Sequence, residues 1–176
     1  MKTLKFILFT LIATTILSCS DNSTEPAFTL SNESLAGDYD IAVLNIDIET
    51  TAEVAGVAVT ISNTAIVGDT FQVDVIINAN GTYSASGQYR VVSTVTPVGT
   101  APITDTEIIV FSDSGSYSVN AVDDTITFMA LGDTLLAGTF NVTVFNETSV
   151  TLSQQVEETI GDITSSINMN LSLERK

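Results

Sequence analysis

Phe71-Gln72-Val73-Asp74-Val75-Ile76-Ile77-Asn78-Ala79-Asn80-Gly81-Thr82-Tyr83-Ser84-Ala85-Ser86-Gly87-Gln88-Tyr89-Arg90-Val91 is two alternating runs around an Asn-Gly pair. Side chains of a strand alternate between faces, so Phe71, Val73, Val75 and Ile77 share one side. Tyr83, Ala85, Gly87, Tyr89 and Val91 share the matching side of the second run, leaving Gln72, Asp74, Ser84, Ser86, Gln88 and Arg90 to water. Asn-Gly between such runs signals a β-hairpin, because both residues accept positive φ.

The same grammar continues on both sides of this pair. Ile108 to Phe111 reads as a strand turning at Asp113-Ser114-Gly115 into Tyr117 to Ala121. Asp123-Asp124 leads into Ile126 to Met129, and Phe140, Val142 and Val144 pass through Asn146-Glu147-Thr148 to Val150 and Leu152. Ile163, Ile167, Met169, Leu171 and Leu173 mark the last strand, and no segment carries a convincing helical period. Each strand is apolar on one side only, so the sheet must hide that side. It does so by curling into a barrel or by stacking on a second sheet as a β-sandwich. On the first strand Tyr39, Ile41 and Val43 share one parity and Leu44, Ile46 and Ile48 the other, which predicts a bulge near Val43-Leu44. Residues 50–66 allow either a strand around Val57 to Ile61 or a flap.

The other informative stretch is the start. Lys2 and Lys5 precede an apolar run from Phe6 to Leu17, followed by Ser18-Cys19. This is the layout of a secretory signal, and the run is shorter than the ~20 residues a membrane span requires. Ile16-Leu17-Ser18-Cys19 resembles the lipobox of bacterial lipoproteins, which implies that Cys19 becomes an acylated amino terminus. Cys19 is the only cysteine, so no disulfide framework exists. Two or more acyl chains anchor firmly where one is marginal. The expected organisation is a signal peptide over 1–18, a lipidated cysteine and polar tether over 19–33, and one domain over 34–176. Ser20-Asp21-Asn22 resembles a short acidic signal for sorting to the cell surface, or is simply a solvated linker. The expected location is the cell envelope, in the outer membrane and either periplasmic or surface-facing.

Removing residues 1–18 leaves Arg90, Arg175 and Lys176 against 21 acidic residues, a formal charge of −18. Such a chain repels phosphate backbones, so nucleic acid is not an expected partner. The chain has no histidine, which removes Ser-His-Asp and Cys-His sites and imidazole ligands for zinc. No metal or cofactor is expected. Asp38, Asp40, Asp47 and Glu49 form the densest acidic group, and Asp123-Asp124 sits at a turn. Asp favours turns for its own backbone bonding. Neither group has the spacing of an EF-hand loop.

Leu35-Ala36-Gly37-Asp38-Tyr39-Asp40-Ile41, Ile77-Asn78-Ala79-Asn80-Gly81-Thr82-Tyr83, Gly115-Ser116-Tyr117-Ser118-Val119, Asp124-Thr125-Ile126-Thr127-Phe128, Asn146-Glu147-Thr148-Ser149-Val150-Thr151-Leu152 and the closing Asn168 to Arg175 come in this order behind a lipobox. Together they resemble the lipocalin-like domains of Gram-negative lipoproteins. The resemblance implies an all-β antiparallel meander closing into a lipocalin-like barrel. Lipocalins carry Gly-x-Trp on the first strand beneath a basic cap. Tyr39 stands at the tryptophan position, and Arg175 either supplies the cap or frays with Lys176 into solvent. The implied function is a binding or structural module for a small hydrophobic or amphipathic ligand, not an enzyme. Tyr39, Phe71, Val73, Tyr83, Tyr89, Tyr117, Phe128, Phe140 and Met169 are the expected pocket lining. The alternatives are a sandwich-type adhesion or assembly subunit, and a glycan-active protein using two facing carboxylates.

Overall fold

The computed structural model describes residues 28–131 and 135–176. It contains one helical turn, α1 (Asn32–Leu35), and eight strands: β1 (Gly37–Val54), β2 (Val57–Asn78), β3 (Thr82–Pro97), β4 (Ile103–Asn120), β5 (Thr125–Ala130), β6 (Gly138–Phe145), β7 (Ser149–Ile160) and β8 (Ile163–Arg175). Each strand pairs antiparallel with the next, and β8 returns to β1, closing the ring. The all-β meander is therefore as expected, and closure of β1 on β8 replaces the free edges of a sandwich.

The opening hairpin is β2–β3, in register from Asn78↔Thr82 to Gln72↔Gln88, with a bulge at Thr70-Phe71 before the pairing resumes at Asp69↔Arg90. Its loop has three residues, Ala79-Asn80-Gly81, and only Gly81 takes positive φ, at 83°. The Gly81 N–H bonds Asn78 C=O, the form in which a turn ends in a left-handed glycine. The β1 bulge lies at Ala42–Val43, between Ile41 and Val43 against β8 and between Asp40 and Leu44 against β2. It turns Val43 outward and Leu44 into the core, as a reversal of parity requires.

Two sequence expectations change and one left open is decided. β4 runs unbroken through Asp113-Ser114-Gly115, which pair with Ala85, Ser84 and Tyr83. Gly115 is there because the β5 backbone passes over it: an added Cβ would lie 2.2 Å from Met129 O. Residues 50–66 are the upper part of a long β1–β2 hairpin turning at Ala55-Gly56, both with positive φ. The packed chain also begins ahead of residue 34, because Leu30 is buried in the core and Phe28 stacks on Phe145 at 4.7 Å. α1 follows, with a capping box between Ser31 and Ser34.

Strand lengths decide where the interior is enclosed. β5 and β6 have only six and eight residues, whereas β1, β2 and β4 have 18, 22 and 18. Tyr39, Leu44, Val73, Val75, Tyr83, Ala85, Tyr117, Ile126, Phe140, Val150, Leu152, Leu171 and Leu173 thus build a floor with one continuous core. Above it, among the described residues, β4 from Ile103 to Asp113 and β7 beyond Ser153 have no strand on their facing sides.

Candidate functional site

At the closed end, Leu35 is fully buried and its C=O accepts the Tyr39 hydroxyl at 2.6 Å. The Arg175 guanidinium lies over the Tyr39 ring, 5.1 Å from its centre. It donates to Tyr39 Oη (2.7 Å), Ser34 O (2.7 Å) and Ala36 O (2.9 Å). Arg175 therefore does not fray; it locks α1 onto the first strand. Lys176 is held as well, between Asp40 at 3.0 Å and Asp74.

The centre of the floor is solid aromatic packing. Phe128 meets Tyr83 edge-on at 5.1 Å, Phe140 edge-on at 5.9 Å and Tyr117 at 6.1 Å. Such contacts favour T-shaped or offset rings. The Tyr83 hydroxyl donates to Asp113 Oδ2 or Leu136 O, each at 3.1 Å. Asp113, read from sequence as a turn residue, is the buried carboxylate among the described residues. The Tyr117 hydroxyl donates to Asn78 O at 2.7 Å.

Burial pushes the Tyr117 phenol up to about 12, with the Tyr39 and Glu33 charges adding to it. Burial also raises Tyr39, against the opposing pull of Arg175, and raises Tyr89. In the unfolded chain these phenols ionise near 10, so between pH 10 and 12 the unfolded state sheds protons that the native state keeps. Stability is therefore complete below pH 10 and falls as the pH rises toward 12. Urea titrations across this range should show that fall. Tyr117→Phe should flatten part of the slope, whatever it does to stability at neutral pH.

Tyr89 differs from the other three tyrosines. Tyr39, Tyr83 and Tyr117 spend their hydroxyls on protein partners, whereas the Tyr89 hydroxyl has none among the described residues. Its ring packs against Phe71 at 5.9 Å and Phe111 at 6.2 Å. Beside it a cleft of about 480 Å³ opens between β4 and residues 135–137, lined by Tyr89, Ile109, Val110, Phe111, Ser112, Leu135 and Ala137. The cleft lies where β5 and β6 have ended and the ring is incomplete.

Of the nine expected lining residues, only Tyr89 borders this cleft, with Phe71 behind it. Tyr39, Val73, Tyr83, Tyr117, Phe128, Phe140 and Met169 are buried in core packing. The sequence reading missed Ile109, Phe111, Leu135 and Ala137. Ile109 and Phe111 share parity with Tyr89's side of the sheet, a signal hidden by ending that strand at Asp113. Cys19 lies outside the described residues. Among the described residues, no three carboxylates or other donors are grouped to hold a metal. Comparison with protein families, curated proteins and solved structures matches nothing to this chain.

Proposed function

We propose that this chain is a lipid-anchored envelope lipoprotein with a lipocalin-like domain, holding a small amphipathic ligand at the Tyr89 cleft. The observation carrying the reading is the Tyr89 hydroxyl, without a partner among the described residues, at an apolar cleft beside a packed floor. The cleft's size falls in the usual range for small-molecule sites, about 300–1,000 Å³. Ile109, Phe111 and Leu135 offer apolar contact, while Tyr89 and Ser112 supply hydroxyls that orient a polar head. The lipobox and the single cysteine support the anchor.

Fluorescence titration of the full chain with cis-parinaric acid tests the ligand half. Saturable uptake is expected, weakened about tenfold by Phe111→Ala, the scale of losing one buried aromatic contact. Tyr39→Phe should leave uptake unchanged. Absence of saturable uptake, or uptake indifferent to Phe111→Ala and Tyr89→Phe, would overturn it. Mass spectrometry of the amino-terminal peptide tests the anchor: an acylated Cys19 is expected, and an unmodified leader would refute it.

A further inference from the structure

We propose that the free edge of β4 around Ile108 and Val110 is a docking edge for an extended, basic segment of a partner protein. This edge borders the Tyr89 cleft, which Val110 also lines, but the inference rests on the outward main-chain groups of β4 and not on a ligand in that pocket.

The direction of those groups follows from the ladder. Leu131 N–H bonds Ser114 C=O on the β5 side at 3.1 Å, and Tyr117 N–H bonds Gly81 C=O on the β3 side at 2.7 Å. In an antiparallel ladder the main-chain groups of alternate residues point to opposite neighbours. Even-numbered β4 residues therefore aim N–H and C=O away from β3, and above Ser114 there is no β5 to receive them. Asp105 Oδ1 caps the Thr106 N–H at 2.9 Å, so the open stretch begins below it. Ile108 and Val110 meet no main-chain partner on that side among the described residues, and their side chains are 64% and 80% exposed.

Natural sheets protect such edges with charge. β7, across the opening, does so with Glu157 and Glu158, beside Gln154 and Gln155. β4 instead presents Ile108-Ile109-Val110-Phe111, an uncharged β-forming run of the kind that recruits another strand.

Charge selects the occupant. A strand added to β4 places its inner side chains opposite Glu107 and Asp105, which lie on the concave side with Ile109 and Phe111. Glu158 faces the same space from β7. Among the described residues a second copy of this chain has no free cation to offer: Arg90 is engaged with Asp69, Lys176 with Asp40 and Asp74, and Arg175 with Tyr39, Ser34 and Ala36. The fitting partner alternates Lys or Arg on the inside with β-branched residues outside, against Ile108 and Val110.

The test is an amide NMR titration of the full chain with the capped peptide Lys-Val-Lys-Val-Lys-Val, with Glu-Val-Glu-Val-Glu-Val as the counterpart. The lysine peptide should shift Ile108 and Val110, slow their amide exchange and bind less tightly as salt rises. The glutamate peptide should not bind. Ile108→Pro removes an outward N–H that the β3 ladder does not use, a position where an edge strand tolerates proline. It should weaken binding about tenfold, the loss expected for one main-chain bond and its misfit. Ile108→Lys keeps the backbone and should weaken binding by charge repulsion. Peptide shifts confined to other strands, equal binding by folded Ile108→Pro and Ile108→Lys, or a wild-type dimer that Ile108→Lys makes monomeric would each overturn the proposal.

Discussion

Phe128→Ala should lower the unfolding free energy by about 3–5 kcal/mol, the cost of emptying a buried phenylalanine site. Phe128 is 2% exposed and touches three other aromatic rings, so no neighbour can close the space without leaving its own contacts. Its loss also loosens the Tyr83–Asp113 pair, since Tyr83 is packed edge-on against it. Domains are stable by only about 5–15 kcal/mol, so the change consumes much of the total. Urea unfolding measures it. Val110→Ala, at an exposed site, should change stability by less than about 0.5 kcal/mol. A loss below about 1 kcal/mol for Phe128→Ala would show that the floor is not the packed unit described above.

Arg175→Met should cost about 2–4 kcal/mol, less than three charged hydrogen bonds would suggest if they were additive. The reduction is physical: the buried Arg175 Nε lacks a partner, so the guanidinium is already incompletely satisfied. What the variant leaves behind is the larger effect. Ser34 O and Ala36 O lose their donor, and α1 loses its tie to the ring. Hydrogen exchange should therefore speed up at Leu35 and Ala36 before it changes in β5 or β6. The Tyr39 phenol should titrate higher still, because Arg175 is the charge that lowers it. Arg175→Lys should recover little, since an ammonium cannot fork between two carbonyls and a phenol. Unchanged exchange at α1 would mean that the Arg175 contacts do not hold α1 in place.

Sequence reading worked where one face was buried and one was wet. The lower parts of β2, β3 and β8 and the short β5 show that contrast, and the β2–β3 pairing followed from it. It failed above the floor. From Val54 to Ile61 both faces of the β1–β2 hairpin are largely exposed, so Val57, Val59 and Ile61 alternate without a buried face, and the sequence left a strand and a flap both open. It failed again at Asp113-Ser114-Gly115, where turn-forming residue types sit inside a strand. Asp113 is held there by the Tyr83 hydroxyl, and Gly115 by the closeness of Met129, and both reasons are tertiary. The helical turn Asn32–Leu35 is too short to leave a period, although Ser31 and Ser34 form its capping pair. The site was legible only in Tyr89. Chemistry named the tyrosines, but which hydroxyls stay free depends on the backbone carbonyls that folding brings within reach.

Closure of β1 on β8 is what makes the floor a ring, and interstrand Hα–Hα NOEs measure it directly. The Glu53 N–H to Asp162 C=O bond fixes the phase, so Leu44/Leu171, Ile46/Met169 and Ile48/Ile167 are the closely spaced pairs. Cross-peaks at all three, with slow exchange of the Asn168 and Asn170 amides, are the predicted result. Their absence, with β8 amides exchanging as an open edge, would contradict the closed ring and everything placed on it.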